Sequence, residues 1–229
     1  MFPSDPDRDV VVTAAELRIR WARTLAPWGA PAREIDAAGA AVMARYGEEH
    51  RAYHTAAHVA EVLAMVGDLV DLARQPEAVE LAAWLHDVVY EPRAGPGVNE
   101  AASAALAAEV LGSLGVDDGV VATTRRLIEL TGDHTVEPGD VDGAVLVDAD
   151  LWILAAPPGR YRRYAAAVRS EHAWVDDAAW RQGRSAVLRR FAGRPRLYVT
   201  DRAHAALDGR ARRNLEWELA ALGGTEAQP

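Results

Sequence analysis

The chain has 229 residues, 50% of them hydrophobic, which suits one large domain or a domain with a modest appendage and leaves ample length to bury a core. With Cys at 0 and no Lys anywhere, disulfides, thiolate nucleophiles, Cys-ligated zinc, iron–sulfur clusters, phosphate-loop lysines and Schiff bases are excluded. The formal net charge of -9 argues against tight nonspecific binding to DNA, RNA or anionic membrane, while leaving room for a local basic patch around a phosphorylated small molecule.

The opening MFPSDPDRDVVV lacks the basic flank and unbroken apolar run of a signal peptide, and Arg, Asp or His interrupts later apolar stretches well before membrane-spanning length. A cytoplasmic protein is expected, with flexible ends at 1–12 and 223–229 around a domain at 13–222. From Thr13 to Trp28, Leu17, Trp21, Leu25 and Trp28 recur at helical spacing, and a second amphipathic segment follows Pro31 through Ile35, Val42, Met43 and Tyr46. A third helix is expected to begin near His54, with His54 and His58 in its first turn. A fourth follows Pro76 and runs to WLHDVVY. Beyond the loop EPRAGPG, VNEAASAALAAEVL reads as a helix with Asn99 as its cap and Val98 as the staple residue before it.

Two further helices are expected, between Asp117 and Leu130 and between Val141 and Ala156. The apolar residues of VLVDADLWIL would also suit a buried strand, but aspartates ahead of them and the Ala-rich continuation favour helix. The pattern resumes with Tyr161, Tyr164, Ala165 and Val168, then Ala178 to Phe191, then a short extended or irregular RPRLYVT, then a closing helix through Ala211, Leu215 and Leu219. The predicted fold class is all-α. The groups RRFAGRPR and RARR read first as solvated faces, with the mouth of a positive pocket as the alternative.

The chemistry lies where polar residues break apolar runs. His54 and His58, four apart, would share one helical face. His86 and Asp87 interrupt AAWLHDVVY, and Asp148 and Asp150 interrupt VLVDADLWIL. A buried imidazole or carboxylate needs a partner, and a metal ion is one such partner. Imidazole and carboxylate without cysteine suit Mn, Fe, Zn, Ni or Mg, and facing helices can assemble such a site from distant parts of a sequence. The bland alternatives stand beside this reading: His54 as a polar residue at a helix start, His86–Asp87 as a hydrogen-bonded pair at a helix end.

Taken in order, RAYHTAAH, AAWLHDVVYEPRAGPGVNEAASA, the TGDH element, LVDADLWILAA, YRRYAAAVRSEH and ARRNLEWEL resemble the HD-domain superfamily of metal-dependent phosphohydrolases, closest to its uncharacterised branch. The similarity runs from about Ala14 to Leu222. It implies an HD-type helical bundle in which His58, His86, Asp87 and Asp150 hold one divalent ion, or two with Asp87 bridging. It also places His54 where a related YHxxxH element supplies the proton donor for the leaving oxygen. Asp148 remains an alternative to Asp150 as the distal ligand, or a residue that orients a ligand histidine. The resemblance brings His134 to the cleft, where it would contact phosphate or a second metal. Asn99 and Glu100 either start a helix or join the site's outer shell. Arg51 either clamps a phosphate or sits on the surface.

The implied activity is hydrolysis of a phosphomonoester or phosphodiester, nucleotide-like in one version, by metal-activated water. The implied partner is a phosphorylated small molecule or nucleotide, with a homodimer also open. The alternatives are a non-catalytic nucleotide-sensing or metal-binding module, and a metal-free structural protein that dimerises through its apolar helices.

Overall fold

A reciprocal cap starts the first helix, α1 (Ala14–Leu25): the Glu16 N–H donates to Thr13 Oγ1 at 3.2 Å, and the Thr13 N–H donates to the Glu16 carboxylate at 2.7 Å. Leu17, Trp21 and Leu25 form its buried stripe. A 3-10 turn (Ala26–Trp28) and the left-handed Gly29 lead through Pro31 into α2 (Ala32–Arg45). These two helices approach closely, for a methyl group at Gly39 of α2 would meet the Trp21 ring at 2.6 Å. The Trp21 indole N–H donates to the Ile35 carbonyl at 2.9 Å, so this large side chain is buried with its polar atom satisfied.

The computed structural model describes residues 13–224, so of the flexible ends expected at 1–12 and 223–229 all but Gly223 and Gly224 lie outside the described residues. Those described fall into two compact units, 13–150 and 151–224. In the first, α3 (Ala56–Leu69), α4 (Pro76–Leu85) and α7 (Val141–Asp150) pack on one another. Buried residues cover nearly every side of α4 and α7, the pattern of a helix with neighbours all round. That enclosure explains why VLVDADLWIL shows no amphipathic period although it is helical to Asp150. Helices α5 (Val98–Ser113) and α6 (Asp118–Leu130) pair with each other, and α6 also rests on α4.

The second unit begins with a 3-10 turn (Leu151–Ala155) and continues through α8 (Pro158–Glu171), α9 (Asp177–Ala192) and α10 (Asp201–Leu222). Asp176 caps α9 by accepting from the N–H groups of Ala178 and Ala179, and Thr200 caps α10 by accepting from Ala203. RPRLYVT is irregular, as the sequence suggests. It is tied down by Arg212, whose guanidinium donates to the carbonyls of Ala192, Arg194 and Pro195. Ten α-helices and no strand occur among the described residues, so the fold class is all-α.

Two helix starts differ from the sequence reading. Helix α3 begins at Ala56 after an extended Thr55, so His54 lies in the preceding turn rather than in the helix. The His54 carbonyl accepts from Arg51 at 3.0 Å, a bond that helps hold this turn outside the helix. Asn99 is not the cap of α5. That position is Gly97, left-handed at φ 76°, and Val98 is 53% exposed, which leaves no staple.

Candidate metal centre

Three helix ends build the cluster, all within residues 13–150. His58 comes from the first turn of α3, His86 caps the C-terminus of α4 with Asp87 immediately after it, and Asp150 is the last residue of α7. His58 and His86 are fully enclosed at 2% and 1% exposure. Their Nε2 atoms lie 3.0 Å apart. Asp87 Oδ2 is 3.1 Å from His86 Nε2 and 3.4 Å from His58 Nε2. Asp150 Oδ1 is 3.2 Å from His58 Nε2 and 3.5 Å from His86 Nε2, while its Oδ2 sits 2.8 Å from His134 Nε2.

Donor counting shows what such a cluster wants. His86 Nδ1 stands 3.1 Å from the Ala83 carbonyl, which can only accept, so Nδ1 carries the hydrogen. In a neutral ring Nε2 then presents a lone pair toward His58 and two carboxylates, all rich in acceptors. A backbone carbonyl that fixes the tautomer in this way is a common support for a metal-binding imidazole. Either a proton or a cation must resolve the convergence. The triangle of His58 Nε2, His86 Nε2 and Asp87 Oδ2, with sides of 3.0, 3.1 and 3.4 Å, has a circumscribed radius of about 1.8 Å, within the roughly 2.0–2.2 Å of metal bonds to nitrogen and carboxylate oxygen. A single point at bonding distance from all three atoms therefore exists.

Without an ion, protons take its place. Burial works against a charged His86, yet the carboxylates of Asp87 and Asp150 outweigh it and hold its pKa well above the ordinary imidazole value. His58 is raised for the same reasons, burial being overcome by hydrogen bonds to Asp150 and Asp87. Burial likewise opposes ionisation of both carboxyls. The charges of His86 and His54 nevertheless hold Asp87 well below the usual carboxylate range, and His86 with the His134 hydrogen bond does so for Asp150.

The remaining residues sort by what they touch. His54 is half-buried beside the cluster, its ring stacked on Tyr90 at 4.1 Å and edge-on to Tyr53 and His58 at 4.9 and 5.8 Å. His134, a left-handed non-glycine residue at φ 55°, joins the cluster through Asp150. Asp150 is the aspartate of α7 that meets the histidines. Asp148, two residues earlier and roughly 200° around the helix, is fully buried on another side.

Arg51 is neither on the surface nor directed at solvent. Its buried guanidinium donates to the carbonyls of His54, Asp87 and Val88 and to Glu48, and lies over the rings of Tyr46 and Tyr90. It thus ties the backbone of the His54 turn to that of the His86–Asp87 turn. Asn99 exchanges two hydrogen bonds with the Glu91 backbone, at 3.0 and 3.1 Å, and Ser103 one turn later does the same with Val89. Helix α5 therefore clamps the strip that follows Asp87. Glu100 lies against Gly132 in the TGDH loop. Sequence reasoning passed over Tyr53, Tyr90 and Ser103; the two tyrosines were signalled by their places inside RAYH and WLHDVVY, whereas Ser103 had only its spacing from Asn99.

A scan against protein-family models and a search of curated proteins both find no match to this chain.

Proposed function

We propose that the chain is a divalent-metal-dependent phosphohydrolase of HD type, with His58, His86, Asp87 and Asp150 as the ion's ligands. The observation that carries this reading is the trio of His58 Nε2, His86 Nε2 and Asp87 Oδ2 at 3.0–3.4 Å from one another, with Asp150 Oδ1 3.2 and 3.5 Å from the two imidazole nitrogens and His86 fixed with its lone pair inward. A bound divalent ion of the Mn, Fe, Zn, Ni or Mg group supplies Lewis acidity toward a phosphoryl oxygen and acidifies water. His134 holds Asp150 in place from the side away from the two histidines. Arg51 keeps the turns of His54 and Asp87 in register. His54, outside the ligand triangle yet against its edge, is placed to hand a proton to the leaving oxygen of a phosphoester, with Tyr90 and Tyr53 fixing its ring plane.

Elemental analysis of protein purified without added metal or chelator, followed by hydrolysis of nitrophenyl phosphate and bis-nitrophenyl phosphate with each candidate ion, tests the reading. Stoichiometric metal with ion-dependent turnover is expected. Metal without turnover of either ester, or of nucleotides, would leave a metal-binding module, and absence of retained or restorable metal would leave a structural cluster of ion pairs.

A further inference from the structure

Within residues 151–224 a separate cavity of about 260 Å³ lies between the start of α8 and one face of α10. Arg210, Arg213, Asn214 and Trp217 are spaced i, i+3, i+4 and i+7, so all four look out from one side of α10, while α8 contributes Pro158 and Arg162. Among the described residues no carboxylate lines the cavity. Asn214 builds its floor by donating to the carbonyls of Leu154 and Ala156, which holds the chain entering α8 against α10. Pro157, at the N-cap of α8, offers no side-chain cap.

Three cations share this space without an ion-pair partner among the described residues. The Nε of Arg210 is buried and has no hydrogen-bond partner among the described residues, an unusual state for so strong a donor. Two buried acids of α10 are committed elsewhere, Asp208 to Arg212, His204 and the Leu197 N–H, and Glu218 to Arg184 and Tyr161, while the exposed Glu216 is not among the residues that line the cavity. The guanidinium of Arg162 lies over the Trp217 ring at 5.1 Å, so an apolar plane and a positive charge adjoin. In a chain of net charge -9, such a concentration of uncompensated arginine on a concave wall calls for a ligand.

We propose that this cavity is a second binding site, distinct from the His/Asp cluster, for a phosphorylated compound with a flat apolar body. The guanidinium groups of Arg210 and Arg213 would take the phosphate oxygens, for which the planar fork is well shaped, and Trp217 would carry the body. This inference does not depend on the metal centre or on catalysis. It concerns the RARR group, for which the cavity favours the pocket-mouth alternative at Arg210 and the exposed Arg213, while Arg212 is a clasp on the preceding loop.

The test is calorimetric titration of the full chain with phenylphosphonate, which carries both features and is not hydrolysed, beside methylphosphonate and inorganic phosphate. Titrations are run on wild type, Asp87→Ala, Arg210→Gln/Arg213→Gln and Trp217→Leu. With every protein stripped of metal by chelator, saturable binding of phenylphosphonate is expected with equal Kd in wild type and Asp87→Ala, weakened at least 10-fold in the double arginine variant and by added salt. Methylphosphonate should bind several-fold more weakly than phenylphosphonate in wild type, and that gap should close in Trp217→Leu. Arg213 is exposed, so Arg213→Gln alone carries the test if circular dichroism shows the double variant unfolded. Absence of saturable binding at millimolar ligand, indifference to the arginine changes, or loss of binding in Asp87→Ala would overturn the site. Equal affinity for all three ligands would overturn the apolar half of the assignment.

Discussion

Two regions of the molecule bury charge, and they do so in opposite ways. In residues 151–224, Arg184 and Glu218 form a two-pronged ion pair at 2.7 and 3.1 Å, and the Tyr161 hydroxyl donates to the same carboxylate at 2.6 Å. Each donor there meets an acceptor and each charge its opposite, so the network is closed. Its pKa directions agree: Tyr161 is pushed up by burial and then by the Glu218 charge, and Arg184 is raised because its partners outweigh its burial. In residues 13–150 the His58–His86–Asp87–Asp150 group has acceptors and lone pairs facing one another at 3.0–3.5 Å, with the His86 hydrogen turned away to Ala83. That network is open, completed by protons or by a cation. Burial of polar groups alone therefore does not mark a site; the balance of donors and acceptors does.

The sharpest way to break this contrast is Asp87→Ala. Loss of the metal and a fall of hydrolysis to background are expected, with the helical circular dichroism spectrum retained. The fold should survive because Arg51 holds the backbone carbonyl of Asp87 at 2.7 Å and not its carboxylate. Stoichiometric metal in the purified variant would remove Asp87 from the ligand set.

Next in size is His54→Ala. The ion should stay, since His54 lies outside the triangle of ligand atoms, while kcat/KM for an alkyl or nucleoside phosphoester drops by about 10²–10⁴-fold if proton transfer is its role. A nitrophenyl leaving group needs less protonation, so the same variant should lose less on that ester. Equal losses on activated and unactivated esters of the same phosphate class would take the general-acid role away from His54. Loss of the ion would instead make it a ligand.

The closed network predicts the reverse pattern, an effect on stability with none on metal. Glu218→Ala leaves a buried guanidinium unpaired and should cost about 3–5 kcal/mol in urea denaturation, whereas Arg184→Met/Glu218→Leu, which removes both charges, should be much milder. Metal content should be unchanged in both. Equal destabilisation by the single and double variants would mean that packing, rather than the unpaired charge, sets the cost.

How far the sequence could be read follows the same physics. Amphipathic helices such as α1 announced themselves by spacing, and polar residues inside AAWLHDVVY and VLVDADLWIL announced a cluster, because burying them without partners is unfavourable. Helix α7 was ambiguous since a helix enclosed on nearly all sides has no polar face to reveal its period. The start of α3 was misplaced by two residues because the Arg51 side chain that holds the His54 carbonyl is itself fixed by the carbonyls of Asp87 and Val88, partners 36 and 37 residues away that no local pattern encodes. Asp148 and Asp150 could not be separated by composition, for their difference is only which side of α7 meets the histidines. RARR looked solvated because a cavity needs a second wall, and α8 lies some fifty residues earlier in the chain.

The smallest expected effect is also the one that tests openness most directly, through pH in the presence of a chelator. His58 and His86 have folded pKa values raised above the unfolded imidazole value of about 6.5, so their contribution is fully present below that pH and is lost as pH rises through the raised values. Asp87 and Asp150 have folded values lowered below the unfolded carboxylate value of about 3.9, so their contribution is present above it and is lost as pH falls through the lowered values. The metal-free cluster is thus most stabilising between about pH 4 and 6.5 and weakens toward alkaline pH. A bound ion replaces those protons, and its affinity rises with pH as they leave. Thermal midpoints measured from pH 6 to 9 should therefore fall in chelator and hold up with the resident metal, each kcal/mol lost reading as roughly 2–4 °C at this chain length. Asp87→Ala, lacking one of the carboxylates that raise His86, should show a shallower fall in chelator. A chelated wild-type profile parallel to that of Asp87→Ala would mean that protons do not close the cluster, and the lone pairs at its centre would then need another explanation.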